Sequence, residues 1–98
     1  MNRMRNLIIS DAIKEKLQLK HGVCVRDVEQ CFENKCGIYL QDTRENHKTN
    51  PPTLWFVAPN NAGRMLKLML IYRDGSVYLK SAYDATPEIQ ALYERFGK

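Results

Sequence analysis

The first part of the chain has apolar residues at the spacing of an amphipathic helix. Ile13 and Leu17 lie four residues apart, which places both side chains on one helical face. Ser10 precedes them and can cap the helix through its hydroxyl, while Asp11 suits the positive end of the helix dipole. Gly22 follows and favours the left-handed conformation that ends many helices. This segment is therefore predicted to be a helix.

Two more helices are predicted further along the chain. The first runs from about residue 25 to residue 34, where apolar residues recur at i, i+3 and i+7. The last begins at Thr86-Pro87-Glu88, which supplies a capping residue, a first-turn proline and an acidic residue. The apolar faces of these two helices comprise Val25, Val28, Phe32, Ile89, Leu92, Tyr93 and Phe96.

The remaining apolar runs are short and predict extended structure. They are residues 7–9, 38–40, 54–58, 64–73 and 76–83, the first of them a strand or an extended lead-in. Asp74-Gly75 separates the last two runs and favours a tight two-residue hairpin turn, because both positions need positive φ. Residues 42–53 are polar, and Pro51-Pro52 within them can neither continue a helix nor pair in a central strand, so this stretch is predicted to be a loop.

The hairpin turn also predicts a register for its two strands. Extending that register places Lys80 near Met69, and at the far end of the strand it places Arg64 near Ala85. The two cations are then not directly opposite. A shared anion site would need the sheet twist or a loop to bring them together. The alternative is that both are solvated charges on an open sheet face.

These elements define the expected fold class, which is α+β. We expect an antiparallel sheet of three to four strands, packed by two N-terminal helices and one C-terminal helix. Residues 1–98 form one domain in this interpretation, because a second core would leave too little apolar surface in each. No apolar run approaches the roughly 20 residues of a membrane span, and the N-terminal run is too short for a signal peptide. The cytoplasm is therefore the expected compartment, with no membrane association.

Three cysteines are an odd number at irregular spacing, so no disulfide framework is implied. His21, Cys24, Cys31 and Cys36 are residue types that can bind zinc, but their spacing is not that of a zinc knuckle or ribbon. Cys31 also falls on the apolar side of its helix, where a free cysteine behaves as a small hydrophobic residue. We therefore predict no metal site and no cofactor.

The net charge of +4 and the pI near 9.1 permit binding to RNA or to an acidic protein without requiring either. The order of motifs along the chain is more informative. K-H-G-V lies between the first two helices, and it is followed by a V-E-Q-C-F-E-N helix, D-T-R, G-R-M-L and S-A-Y-D-A-T. These segments are residues 20–23, 28–34, 42–44, 63–66 and 81–86, followed by Glu88 and Tyr93.

This ordered set resembles the BrnT-type toxins of the RelE-like superfamily of type II toxin–antitoxin systems. The resemblance implies a compact sheet with helices, RNA cleavage, and neutralisation by an antitoxin that also binds DNA. Two positions depart from the family pattern, and both departures remove positive charge. Tyr83 stands where the family has an arginine, and Asp84 stands at the next basic position. Cys24 also stands where the family usually has Ser or Thr. The alternative is an inactive protein-interaction module on the same fold, and a homodimer is left open.

Metal-free RNA cleavage needs a base for the 2′-hydroxyl, an acid for the leaving oxygen, and cations for the phosphorane. The resemblance and the residue types together give two sets of candidates. The catalytic candidates are His21, Arg64, Lys80 and Tyr83, and the RNA-binding candidates are Arg44, Lys67 and Arg73. Short proteins similar to this chain are also described as ADP-ribosyl-(dinitrogen reductase) hydrolases. That activity belongs to larger helical proteins with a carboxylate-bound metal pair, a pattern that this sequence lacks.

Three candidates also have a structural interpretation. His21 can act as a general acid or base, or it can simply close a helix by interacting with its last carbonyls. Tyr83 can donate a proton or stack on a base, or it can pack in a strand. Trp55 is an anchor for a partner if it is exposed and core if it is buried, and we favour the core. His47 is expected on the surface.

Overall fold

The computed structural model describes residues 6–43 and 51–98. Within these ranges the strands are β1 (Leu7–Ile8), β2 (Leu40–Gln41), β3 (Thr53–Pro59), β4 (Met65–Arg73) and β5 (Ser76–Asp84). The helices are α1 (Asp11–Lys16), which continues into a π-helical turn (Leu17–His21), α2 (Val25–Glu33) and α3 (Pro87–Phe96). The α+β class and the two N-terminal and one C-terminal helices are confirmed.

The sheet differs from the prediction in strand number and direction. It has five strands in the order β1-β5-β4-β3-β2, and β1 is parallel to β5. The other pairs are antiparallel. The prediction of an antiparallel sheet of three or four strands is therefore wrong. Leu7 pairs with Val77, which is far from it in the sequence, and no local sequence signal specifies so distant a parallel partner.

The helix boundaries follow the capping residues that the sequence predicted. Ser10 Oγ accepts a hydrogen bond from the amide of Ile13 at 3.2 Å, and Thr86 Oγ1 accepts one from the amide of Ile89 at the same distance. Gly22 has φ +60° and ends the π-helical turn in the left-handed conformation. These local hydrogen bonds satisfy amide groups that have no partner within their own helix.

The β4–β5 hairpin begins as predicted and then shifts. Asp74 and Gly75 have φ values of 54° and 81°, which confirms the tight turn. The register then shifts by one residue at a β-bulge between Met69 and Leu70, where Lys80 is the extra residue of β5. The predicted pairing of Lys80 with Met69 is wrong for this reason, since Met69 pairs with Ser81.

Beyond the bulge, every β5 side chain faces a partner one position away from the predicted one. Lys67 lies directly opposite Tyr83, and Leu66 lies opposite Asp84. Directly opposed residues in antiparallel strands project to the same face of the sheet. The bulge therefore places Tyr83 and Lys67 side by side on one face.

Helices cover both faces of the sheet. On one face Phe56 packs edge-on against Phe32 of α2, with ring centroids 4.9 Å apart. On the other face Trp55 packs against Tyr93 of α3 at 5.8 Å. Trp55 is only 7% exposed, so the interpretation of this residue as core is confirmed. Two adjacent aromatic residues can both be buried here because each sheet face has its own helix.

The C-terminal end of α3 is tied to the segment before β2. The Tyr93 hydroxyl donates to the carbonyl of Ile38 at 2.7 Å, and the amide of Ile38 donates to the carbonyl of Gly97 at 2.8 Å. A Cβ atom on Gly37 would lie 2.6 Å from the Tyr93 hydroxyl, so only glycine allows this close approach. Among the helices of the described residues, none has the length and hydropathy to span a bilayer.

Candidate functional site

Arg64 makes four hydrogen bonds within the protein, and its guanidinium has five N–H donors. Its Nε donates to Asp84 Oδ1 at 2.7 Å and its Nη2 to Asp84 Oδ2 at 3.2 Å, which makes a bidentate salt bridge. Nη2 also donates to the carbonyl of His21 at 2.7 Å, and Nη1 donates to the carbonyl of Gly22 at 3.0 Å. The guanidinium thus holds the last carbonyls of the π-helical turn against the end of β5. In this arrangement Arg64 positions these two backbone segments, and four of its five donors are directed at groups of the protein itself.

The charges of this pair stabilise each other. The hydrogen bond from Arg64 lowers the pKa of Asp84, and burial opposes this only in part. The same hydrogen bond raises the pKa of Arg64. The Arg64 side chain is 32% exposed and the Asp84 side chain is 69% exposed, so solvent screens the pair and its net contribution to folding is modest.

A line of aromatic and cationic groups runs beside this bridge. The rings of His21 and Tyr83 lie 5.7 Å apart, and the ammonium of Lys67 lies 5.9 Å from the Tyr83 ring centroid. The same ammonium lies 4.7 Å from the Trp55 ring centroid. Each contact is within cation–π or ring-packing range. We call these four residues, His21, Tyr83, Lys67 and Trp55, the aromatic–cation strip.

The strip is buried at one end and accessible at the other. Lys67 is 6% exposed and Trp55 7%, whereas His21 and Tyr83 are half-buried. The Tyr83 hydroxyl donates to the sulfur of Met69 at 3.6 Å, a weak hydrogen bond that leaves the phenol able to exchange its partner. A ligand would therefore meet the His21 and Tyr83 rings first, with the charge of Lys67 behind them.

The structure does not bring the other predicted site residues to this strip. Lys80 is exposed at the β-bulge, and Arg73 is exposed at the hairpin end of β4, with its guanidinium 5.5 Å from the Tyr78 ring centroid. Arg73 lies six positions along the extended strand β4 from Lys67, which is about 20 Å along the backbone. Two further basic residues of the sequence analysis, Arg44 and His47, lie outside the described residues.

The start of α2 is fixed to the turn before β4. Asp27 Oδ2 accepts from the Cys24 amide at 3.1 Å and from the Cys24 thiol at 3.3 Å. Asp27 Oδ1 accepts from the Asn60 side-chain amide at 3.1 Å, and the side-chain oxygen of Asn60 accepts from the backbone amide of Arg64 at 2.9 Å. The backbone hydrogen bond from Cys24 is the main cause of a lowered pKa for Asp27. Cys24 thus takes part in a capping arrangement in spite of its departure from Ser or Thr.

The three thiols lie in separate environments. The Cys31 thiol is buried and donates to the Ala58 carbonyl at 3.4 Å, while Cys36 is exposed and donates to the Asn34 carbonyl at 3.4 Å. Together with the Cys24–Asp27 contact, these bonds direct the sulfurs to different partners. Across residues 6–43 and 51–98, no three His, Cys, Asp or Glu side chains are placed to share a metal ion.

Two features of the site were absent from the sequence-based candidates. Asp84 was interpreted only as a loss of positive charge, yet it is the partner of Arg64. Trp55 was assigned to the core, and it is also the inner end of the strip. Alternation along β3 and β4 puts Trp55 and Lys67 on one face, so the second feature could have been inferred once the strand pairing was known.

Comparison with known proteins gives no external assignment for this site. No protein-family model and no curated protein matches the chain.

Proposed function

We propose that this chain is a BrnT-like, toxin-type domain of the RelE-like superfamily that binds RNA at the aromatic–cation strip. The observation that carries the proposal is the alignment of His21, Tyr83 and Lys67, with rings 5.7 Å apart and the ammonium 5.9 Å from the phenol ring. Partly exposed rings offer stacking surfaces for unpaired bases, and a nearby ammonium offers a counter-charge for phosphate. The net charge of +4 favours the same kind of ligand.

The proposal includes RNA cleavage at this place. The 2′-hydroxyl attacks the adjacent phosphorus and gives its proton to a base, while the leaving 5′-oxygen takes a proton from an acid. The products are a 2′,3′-cyclic phosphate and a 5′-hydroxyl, so no metal or cofactor is required. His21 and Tyr83 are the adjacent proton-exchanging groups, and Lys67 stabilises the charge of the phosphorane. A cognate antitoxin and a cytoplasmic location belong to the same proposal.

The direct test is binding and cleavage of a labelled single-stranded RNA by the purified protein. We expect Tyr83→Ala to weaken binding by about 1–3 kcal/mol, since that is the usual contribution of one stacked base. Tyr83→Phe should retain the stacking and lose the proton transfer, so it should bind normally and cleave slowly. Expression of the wild type should arrest growth, and His21→Ala should relieve that arrest.

Arg73→Gln is the matched control for Lys67→Gln, because each removes one cation from β4. We expect Lys67→Gln to weaken RNA binding and Arg73→Gln to leave it nearly unchanged, with circular dichroism confirming the fold of both variants. Equal losses of RNA affinity in the two variants would show that only the net charge of the protein matters, and not the position of Lys67. Absence of both RNA binding and growth arrest in the wild type would end the toxin-type proposal.

A second candidate function is a protein-interaction module on the same fold, without RNA cleavage. The Arg64–Asp84 bridge favours this candidate, because it occupies the cation that the family resemblance assigns to the active site. It predicts RNA binding that is absent or unproductive, together with a stable partner complex. Detection of a cyclic phosphate product would decide for the first function, whereas a stoichiometric partner complex without that product would decide for the second.

A further inference from the structure

A groove runs between α3 and the edge of the sheet at β2. It has a volume of about 520 Å³, and its apolar lining comes from Leu40, Trp55, Ile89, Leu92 and Phe96. Asp42 is a carboxylate in the lining, but it is only 5% exposed. A volume of this size exceeds what one protein side chain fills and is within the range of ligand and peptide sites.

The apolar surface continues out of the groove. Phe96 is 56% exposed and Leu92 43%, although both lie on the amphipathic helix α3. Ile38 is 60% exposed, and its hydrogen bond to Gly97 holds it beside the C-terminal end of the same helix. Leu92 and Phe96 line the groove, and Ile38 adds a third exposed apolar side chain near the same end of α3, so this end carries an apolar patch of the kind found at interaction surfaces. We call this patch and the groove the α3 groove.

Three cationic side chains lie near the C-terminal end of α3, next to the groove. The guanidinium of Arg95 lies 5.3 Å from the Phe96 ring centroid. The ammonium of Lys35 donates to the carbonyl of Gly37, directly before Ile38, at 2.6 Å. Lys98 is also at this end, in an ion pair with Glu94. Because Glu94 neutralises Lys98, the positive charge at this end of the apolar groove comes from Arg95 and Lys35.

We propose that the α3 groove binds an acidic, apolar segment of a partner protein. Apolar side chains of that segment would fill the groove between Leu40 and Leu92, and its carboxylates would face Arg95 and Lys35. A second copy of this chain fits less well, because a two-fold contact through this surface would bring the same cations together. Residues 44–50 carry no apolar side chain, so their sequence does not match the apolar part of the proposed segment.

The α3 groove and the aromatic–cation strip share Trp55 and Lys67, which are only 7% and 6% exposed, but the two sites open to solvent through different residues. The exposed part of the α3 groove comprises Ile38, Leu92 and Phe96, whereas the exposed part of the aromatic–cation strip comprises His21 and Tyr83. Exposed leucine and phenylalanine side chains form the centre of the α3 groove, and such side chains are poorly suited to a phosphate backbone, which is recognised chiefly by dense positive charge. The two proposals are therefore distinguished at their exposed residues, since Phe96→Glu should weaken peptide binding and Tyr83→Ala should weaken RNA binding.

The test is a selection of random displayed peptides on the immobilised full chain, followed by synthesis of the enriched sequences. We expect the enriched peptides to combine Asp or Glu with Leu, Ile, Phe or Trp. Phe96→Glu should weaken their binding about tenfold or more, as loss of a central apolar contact does. Leu19→Glu is the matched control, since Leu19 is 78% exposed on the π-helical turn, and it should have no effect.

The charge of the rim is tested separately. Arg95→Glu should weaken binding of the acidic peptides several-fold, while Lys16→Glu, the same change on α1, should not. Enrichment of basic peptides, or binding that Phe96→Glu leaves unchanged, would overturn the proposal. Concentration-dependent dimerisation abolished by Phe96→Glu would assign the surface to a second copy instead. Phe96-dependent binding to anionic vesicles, without selection of any peptide, would assign it to a membrane.

Discussion

Arg64 and Asp84 form a bidentate salt bridge, with Arg64 Nε 2.7 Å from Asp84 Oδ1, and the same guanidinium binds the carbonyls of His21 and Gly22. The bridge therefore connects the end of β5 to the end of the π-helical turn. It fixes the backbone of His21, whose ring contacts Tyr83. Asp84 is consequently part of the architecture of the aromatic–cation strip.

The first prediction concerns stability in acid. The pKa of Asp84 is lower in the folded protein than its ordinary value of 3.8, so the bridge stabilises the fold above that value. Its contribution is lost as the pH falls through the folded pKa. Asp84→Asn should therefore lower the free energy of unfolding by about 1 kcal/mol or less at neutral pH, because both side chains are partly solvated. Below the folded pKa of Asp84, variant and wild type should converge in urea unfolding.

Asp74→Asn is the matched control for this measurement. It removes an exposed carboxylate from the hairpin turn, and asparagine tolerates the positive φ of 54° at that position. We expect no loss of stability at neutral pH. A double-mutant cycle with Arg64→Gln should give a coupling free energy close to the whole loss of unfolding free energy caused by Asp84→Asn. A coupling of zero would contradict the assigned role of the bridge.

The second prediction concerns thiol reactivity. Burial raises the pKa of the Cys31 thiol to about 12, whereas Cys24 and Cys36 are exposed. Because the thiolate is the reactive form, Cys24 and Cys36 should react with a maleimide at mildly alkaline pH, and Cys31 should react only after unfolding. The Cys24→Ser, Cys36→Ser double variant is the control. Rapid labelling of that folded double variant would show that Cys31 is accessible.

The third prediction concerns the junction between α3 and β2. A Cβ atom on Gly37 would crowd the Gly97 carbonyl and lie 2.6 Å from the Tyr93 hydroxyl. Gly37→Ala should therefore cost about 1–3 kcal/mol of unfolding free energy, the usual effect of overpacking. Cys36→Ala, at the exposed neighbouring position, should change stability by less than about 0.5 kcal/mol. Similar midpoints for both variants in thermal unfolding would count against this close contact.

The elements that sequence predicted well are those set by local chemistry. Ser10 and Thr86 cap helices because their side-chain oxygens reach amides three residues away. Asp74-Gly75 forms its turn because both residues tolerate positive φ. Each of these signals is complete within a few residues, so the folded context adds little to it.

The features that sequence predicted poorly depend on distant partners. The bulge at Lys80 has no local marker, and its one-residue shift decides which side chains lie opposite Tyr83. β1 joins the sheet through a parallel pairing with β5, so the strand count was too low. Asp84 could be recognised as the partner of Arg64 only when β5 was aligned with the start of β4. The sequence therefore named candidate residues for the site but did not predict how they are arranged in space.

The last prediction separates positioning from bulk charge at the proposed RNA site. Asp84→Asn removes a negative charge from the surface, and simple electrostatics predicts tighter RNA binding. The geometry predicts the opposite, because Asp84 holds Arg64, and Arg64 holds the backbone of His21. We expect RNA affinity to fall about fivefold, which corresponds to about 1 kcal/mol.

Fluorescence anisotropy with a labelled single-stranded RNA measures this change, and Asp74→Asn again provides the same charge change away from the site. That control should bind slightly more tightly than the wild type, and its response should diminish with added salt. If Asp84→Asn also binds more tightly, the bridge does not position the strip. Asp84 would then act on RNA only through its charge, as the sequence alone suggested.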